Sequence, residues 1–167
     1  MLYPDIAVSS VYDIDMAELR GRGVKGLILD IDNTLARPDA RMPDKRAVDW
    51  LRYAEGAGFR ICLLSNSVER RASRFALAFA STVIPHARKP MKKGFLNAMR
   101  NMGVEPSQAC VIGDQIFTDV YGAKRLGILS VYTKRITNRE GLLVKMKRLP
   151  EYFVLKRYER TGGGRFY

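Results

Sequence analysis

Short apolar runs alternate along the chain with segments whose apolar positions recur at helical spacing. Residues 24–31, VKGLILDI, form a run rich in strand formers that ends in acidic residues. Residues 44–56 place Ala47, Trp50, Leu51 and Ala54 at helical spacing, and Gly56 and Gly58 close that helix. Residues 59–64, FRICLL, read as a second strand ending at Ser65-Asn66. A helix over about 68–80 follows, with Phe75, Leu77 and Phe79 among its apolar positions. TVI at 82–84 is a third strand, and Pro90 precedes a helix near 91–102 that Gly103 ends. Ala109–Ile112 form a fourth strand running into Gly113-Asp114. A helix over 116–126 stops at Gly127, and Ile128–Tyr132 form a fifth strand. Strands that are apolar nearly throughout, alternating with helices, predict an α/β fold: a Rossmann-like, doubly wound parallel sheet of about five strands with helices on both faces.

In such sheets ligands bind outside the carboxyl ends of the strands, and the polar residues gather there. Asp30, Asp32 and Thr34 follow the first strand, Ser65 and Asn66 the second, Lys89 the third, and Asp114 and Asp119 the fourth. One crevice thus receives several carboxylates, two hydroxyls and an ammonium. Clustered carboxylates repel, the more so when desolvated, and a bound cation resolves the conflict. An oxygen-only donor set suits a hard ion such as Mg²⁺, which keeps places for water and phosphate oxygens. Lys89 and the Ser65 hydroxyl suit phosphoryl oxygens. Asp30, first at its strand end, is the natural carboxylate nucleophile. Asp32, two residues on, can protonate the leaving oxygen and then activate water.

These residues resemble the motifs of the haloacid dehalogenase superfamily of phosphatases. A strand followed by D-x-D-x-T is matched by Asp30 to Thr34, an apolar strand ending in Ser or Thr by Ser65, a later lysine by Lys89, and G-D-x-x-x-[TS]-D by Gly113 to Asp119. All four occur in family order. The resemblance implies Asp30 as nucleophile and Mg²⁺ ligand, Asp32 as general acid/base and backbone-carbonyl ligand, and Asp114 as the remaining protein ligand. It implies that Ser65 and Lys89 hold the transferred phosphoryl, that Thr34 supports the nucleophile loop, and that Asp119 lies behind them, orienting Lys89 or a metal-bound water. Asn66 either contacts the phosphate or simply forms the turn after its strand. DIDNTL, the helix start after Lys89-Pro90, GDQIFTDVYGAKRLG and the N-terminal SVYDID further resemble the bacterial YqeG-type, class IIIA subgroup, over residues 4 to about 150. That subgroup is similar to the mitochondrial phosphatases of phosphatidylglycerophosphate, which implies such a lipid as substrate.

Composition narrows the setting. Of 167 residues, 47% are hydrophobic and 28% charged, which excludes wholesale disorder. The length suits a single domain, here 1–167, with a core of about 20–135 and a basic extension over 136–167. No apolar run is long enough to span a membrane, and MLYPDIAVSS has no basic-then-apolar leader, so a cytoplasmic protein is expected. Cys62 and Cys110 lie in apolar runs and read as buried thiols; the single histidine excludes a His-rich zinc site.

The net charge is +12, and more than half of it falls in the last fifth of the chain: ten basic and three acidic residues follow Thr133. A polyanionic partner is therefore expected. Between Thr34 and Ser65 there is room for a loop, one helix and a strand, and between Asn66 and Lys89 for a helix and a short strand. Neither interval accommodates a cap domain, so the crevice suits a phosphate presented by something large. LLVKMKRLPEYFVLKRY, 142–158, interleaves apolar and basic residues, and Pro150 predicts two helical pieces. Either these lie on an anionic bilayer, placing the protein peripherally on the cytoplasmic membrane face, or Leu142, Leu143, Leu149, Phe153 and Leu155 pack on the domain and the charges form a solvated face.

Two other function classes fit less of the sequence. One is a soluble phosphatase of a phosphoprotein, nucleotide or sugar phosphate. The other is a basic nucleic-acid or ribosome-associated protein, for which no RNA-binding motif or stacking platform is present, so no nucleic acid is expected. Asp13-Ile14-Asp15 repeats the acidic spacing but lacks a preceding strand and reads as a helix start or loop. His86, Arg88, Lys92 and Gln115 flank the candidate site, and solvated positions explain them as well as contact with substrate or metal.

Overall fold

The computed structural model describes residues 2–67, 74, 75, 77, 82–138 and 142–162, and of residues 142–147 the backbone alone. These form one parallel sheet in the order β1-β6-β5-β2-β3-β4, with β1 Ile6–Val8, β2 Gly26–Leu29, β3 Arg60–Leu64, β4 Thr82–Ile84, β5 Ala109–Gly113 and β6 Leu129–Thr133. The helices are α1 Met16–Gly21, α2 Lys45–Gly56, α3 Lys92–Met102, α4 Tyr121–Lys124 and α5 Leu142–Arg160. The expected open, doubly wound α/β sheet is present, with six strands in place of about five. The additional strand, β1, is three residues long and sits at the edge beside β6. Asp5, just before it, holds it there. The Asp5 carboxylate accepts from the Ser130 N–H and hydroxyl, both at 2.8 Å.

Alternation along each strand divides the core between two faces. Leu27, Leu29, Ile61, Leu63, Cys110 and Ile112 point to the side of α1 and α2, meeting Leu19, Trp50, Leu51 and Ala54. Ile28, Cys62, Leu64, Ala109 and Val111 point to the side of α3, meeting Phe95, Ala98, Met99 and Met102. This period-2 division follows from the pleat. Local signals set the helix ends. Asp44 caps α2 through the Ala47 N–H at 2.8 Å, and Gly103 ends α3 in the left-handed conformation, φ 60°. Asp15 caps α1 by accepting from Ala17 and Glu18, so the Asp13-Ile14-Asp15 sequence is a helix start.

Three expectations need revision or fall outside the description. Residues 116–126 do not form one regular α-helix: Ile116–Val120 is a π-helical turn leading into the short α4. Pro150 does not split the C-terminal segment, since α5 runs continuously from Leu142 to Arg160. An interior proline costs a helix about 3 kcal/mol. The turns around it are held from outside by contacts of Arg148 and Glu151, and Val154, Leu155 and Tyr158 pack on Ile116, Val120 and Tyr132. The predicted helix over 68–80 lies largely outside the described residues, although Phe75 is buried in the core and Leu77 is exposed.

The order of the sheet fixes the crevice. The chain builds outward from β2 through β3 to β4, then crosses to β5 and continues through β6. β2 and β5 are therefore hydrogen-bonded neighbours at the point where the winding reverses. Their carboxyl ends deliver Asp30 and Asp114 side by side.

Candidate active site

β2 ends one residue before Asp30, whose N–H donates to the Ile112 carbonyl at 2.9 Å, so the strand pairing itself sets this residue beside β5. The chain then turns tightly. The Ile31 carbonyl accepts from the N–H groups of Thr34, Leu35 and Ala36. Asn33 sits at φ 65°, a left-handed position that Asn tolerates better than most residues. Its side-chain oxygen accepts from the Thr137 N–H at 3.0 Å, tying the loop to the segment after β6. The Thr34 hydroxyl donates to Asp30 Oδ2 at 3.4 Å.

Lys89 reaches the crevice from the loop after β4. Its ammonium, almost fully buried, forms ion pairs with Asp30 Oδ1 and, at 2.7 Å, with Asp119 Oδ1. Asn66 holds the Lys89 backbone from both sides: its side-chain oxygen accepts from the Lys89 N–H at 2.7 Å, and its amide donates to the Lys89 carbonyl at 3.4 Å. Ser65 is fully buried, its hydroxyl 2.7 Å from that of Ser67. His86 and Arg88 occupy left-handed positions in the same loop. Their side chains and that of Lys92 are exposed.

Asp114 and Asp119 come from β5 and the π-helical turn after it. Asp119 Oδ2 accepts from the Gln115 N–H at 3.2 Å and the Thr118 hydroxyl at 3.3 Å. Asp119 packs directly on Gly113, and a β-carbon there would lie 2.4 Å from Asp119 Cγ. Glycine in the G-D pair is thus required by close packing. One oxygen each of Asp30, Asp114 and Asp119 lies within 4.8 Å of the others. Asp32 is half-buried and lies outside that trio.

The electrostatics follow from burial. Desolvation pushes the Asp30 carboxyl up to about 7, against the pull of Lys89 and with the push of Asp119. Burial also raises Asp114 well above the carboxylate range, with Arg148 pulling the other way. Burial opposes the charge on Lys89, but Asp119 and Asp30 outweigh it and hold the ammonium above its ordinary value. Two cations, Lys89 and Arg148, stand among four buried carboxylates, Asp30, Asp114, Asp119 and Glu151, which leaves surplus negative charge. Asp114 Oδ1 is buried and has no hydrogen-bond partner among the described residues. A hard divalent cation fits that surplus and that oxygen.

The structure therefore brings together Asp30, Thr34, Lys89, Asp114 and Asp119, with Ser65 and Asn66 shaping the adjoining loop. Two functional candidates were missed in the sequence. Arg148, on α5, donates to the Asp114 carboxylate Oδ2 and, at 2.6 Å, to the Asp114 carbonyl. Glu151, one turn on and buried, accepts from Arg148 at 2.9 Å and from the Phe117 N–H at 3.2 Å. The one available signal was a glutamate in a strongly basic segment beside Arg148, and that does not identify the partners. The predicted packing of the tail is also only partly right. Leu155 packs on the domain, whereas Leu149 and Phe153 are 66% and 63% exposed; the side chains of Leu142 and Leu143 lie outside the described residues. Leu149 and Phe153 project from the helix face opposite the buried Glu151.

A family model for haloacid dehalogenase-like hydrolases matches residues 13–127. The Bacillus subtilis protein named "Probable phosphatase YqeG" is 34% identical over 159 residues, covering 95% of this chain and 92% of that protein. "Phosphatidylglycerophosphate phosphatase 1, chloroplastic" of Chlamydomonas reinhardtii is 30% identical over 95% of this chain but only 63% of its own length. The chloroplastic/mitochondrial enzyme of the same name from Arabidopsis thaliana is 27% identical over 95% of this chain and 49% of its own length. The chain thus spans half to two-thirds of those two relatives. Among solved structures, an uncharacterized protein from Listeria monocytogenes superposes with a TM-score of 0.57 at 20% identity, over 71% of this chain and 85% of that one. The cobalt-bound deoxy-D-mannose-octulosonate 8-phosphate phosphatase of Haemophilus influenzae superposes with 0.55 at 15% identity, over 75% of each chain. These likenesses show the fold. With a family model spanning most of the sheet and a relative matched along nearly its whole length, the chain belongs to the haloacid dehalogenase-like hydrolases and is a phosphatase of that family.

Proposed function

We propose that the protein is a capless, Mg²⁺-dependent phosphomonoester hydrolase that works through an aspartyl-phosphate on Asp30, with phosphatidylglycerophosphate at an anionic membrane surface as its substrate. The observation that carries the chemistry is the single buried cluster of Asp30, Lys89, Asp114 and Asp119. An Asp30 oxygen attacks phosphorus, the bond to the leaving oxygen breaks, and Asp32 supplies the proton that oxygen needs. Asp32 then takes a proton from the water that hydrolyses the acyl phosphate, regenerating Asp30. Lys89 offsets charge on the phosphoryl oxygens and on Asp30, and Asn66 holds Lys89 in place. Ser65 donates its hydroxyl to the phosphoryl group, and Thr34 steadies the Asp30 carboxylate. Asp30, the Asp32 carbonyl and Asp114 would hold Mg²⁺, with Asp119 behind them; bound there, the cation supplies charge neutralisation for the phosphoryl group.

The lipid reading rests on the two relatives named for phosphatidylglycerophosphate and on the surface beside the site. Leu149, Tyr152 and Phe153 are exposed on α5 together with Lys156, Arg157 and Arg160, a mixture suited to an anionic interface, peripherally on the cytoplasmic face. A groove of about 290 Å³ is lined by Tyr132, Lys134, Arg135, Arg148, Glu151, Tyr152, Leu155 and Glu159, and one of these, Arg148, also binds Asp114. It offers cations and apolar wall to a phosphate ester on a greasy body. Among the described residues no helix is long and apolar enough to cross a membrane. The test is a Mg²⁺-dependent phosphatase screen comparing phosphatidylglycerophosphate in anionic vesicles with soluble phosphoprotein, nucleotide and sugar-phosphate substrates. Preferential turnover of the lipid is expected; equal turnover of all would reject the lipid specialist.

A further inference from the structure

Sequence motifs account for every residue of the acidic cluster but not for the guanidinium inside it. We propose that Arg148 is a positioning residue for the metal ligand Asp114, contributed to the centre by the C-terminal helix. Arg148 grips one residue twice. Nη1 donates to the Asp114 carbonyl at 2.6 Å and Nη2 to the Asp114 carboxylate Oδ2. A fork anchored to the main chain and the side chain of the same residue fixes that side chain's torsion. It engages Oδ2 and leaves Oδ1, buried and without a hydrogen-bond partner among the described residues, as the oxygen available to a cation.

Arg148 is itself held. Glu151, 2% exposed, accepts from Arg148 Nη1 at 2.9 Å and from the Phe117 N–H at 3.2 Å. Phe117 lies in the π-helical turn that also carries Asp119. The pair therefore clamps the β5 end to the turn behind it. Glu151 balances the guanidinium, so the pair brings hydrogen-bond geometry to the centre without adding net charge. A buried ion pair is by itself weak evidence of a stabilising role, and here both members contact the backbone of the acidic segment.

This inference rests on the reading of Asp114 as a metal ligand, and the experiment separates the two. Mg²⁺ is titrated calorimetrically into the metal-free full-length protein and into Arg148→Met, Arg148→Lys, Glu151→Gln and Asp114→Asn, with circular dichroism confirming the fold. Arg148→Met keeps an apolar stem on the helix and removes the fork. It is expected to weaken Mg²⁺ binding 10- to 100-fold, as loss of a hydrogen-bond partner behind a metal ligand does, and Arg148→Lys is expected to recover part of that loss. Mg²⁺ affinity in Arg148→Met within twofold of wild type, or tighter, overturns the proposal. Should Arg148→Met not fold, Glu151→Gln decides: a several-fold weaker affinity supports the clamp, and an unchanged one overturns it. If Asp114→Asn binds Mg²⁺ as wild type does, the metal reading falls and the inference with it. If Asp114→Asn loses the ion while the α5 variants keep it, the positioning role alone is refuted.

Discussion

Asp119 occupies the space that a side chain on Gly113 would need: a β-carbon there would meet Asp119 Cγ at 2.4 Å. The contact is between backbone and a buried carboxylate already bound to Lys89, Gln115 and Thr118. Gly113→Ala must therefore displace Asp119 and, with it, Lys89. A cost of about 1–3 kcal/mol in folding stability is expected from overpacking, with a larger proportional loss of activity. Denaturant unfolding and phosphatase assays on the same preparation measure both. Unchanged stability would mean that the turn relaxes freely.

Asp30→Asn is expected to lower turnover by at least about 10³-fold, because the amide is no nucleophile, while leaving the fold intact. Acid-quenched wild-type enzyme should carry phosphate on Asp30 by mass spectrometry and the variant should not. Retention of most activity by Asp30→Asn would refute the aspartyl-phosphate mechanism.

Asn66→Ala removes two bonds to the Lys89 backbone without touching its ammonium. A fall in kcat/KM of about 10- to 100-fold is expected, comparable to losing a partner that orients a site residue, with the melting temperature little changed. A variant as active as wild type would show that burial alone positions Lys89.

The raised Asp30 carboxyl sets a sign for pH dependence. Burial lifts it from 3.8 to about 7 in the folded state, so the metal-free fold binds its proton more tightly than the unfolded chain does. That contribution to stability is fully present below about pH 4 and is lost as pH rises through about 7. Mg²⁺ needs the deprotonated carboxylate, so the stabilisation it provides should grow over the same interval. Thermal unfolding with and without Mg²⁺ at pH 6 and pH 8 tests this: the Mg²⁺-induced rise in Tm should be larger at pH 8.

Phe153, 63% exposed, is the largest apolar group on the outer face of α5. Phe153→Ser should weaken partitioning onto anionic vesicles by about 10- to 150-fold, the scale of burying one aromatic side chain at roughly 1.5–3 kcal/mol. Sedimentation with phosphatidylglycerol-containing vesicles checks it, and undiminished binding would assign the interface to another surface.

What was legible in the sequence was what is local. Asp30, Ser65, Lys89 and Asp114 each lie at or just beyond a strand end, and strand apolarity locates those ends. The spacing within D-x-D-x-T or G-D-x-x-x-T-D travels with a single turn. Arg148 and Glu151 were not legible because their partners Asp114 and Phe117 lie some thirty residues earlier, and Pro150 between the two argues against a continuous helical turn. β1 was missed because three residues show no periodicity, and its strand identity comes from Asp5 bonding to Ser130 at the far end of the chain. The π-helical turn escaped because one extra residue per turn leaves the apolar spacing of Ile116 and Val120 compatible with an ordinary helix.

β2 belongs to the first half of the chain and β5 to the second, yet they lie edge to edge. Anything lodged between Asp30 and Asp114 therefore acts as a rivet across the seam where the two halves meet. Occupancy at this one point should be felt well away from it, as slower amide exchange in the strands on both sides.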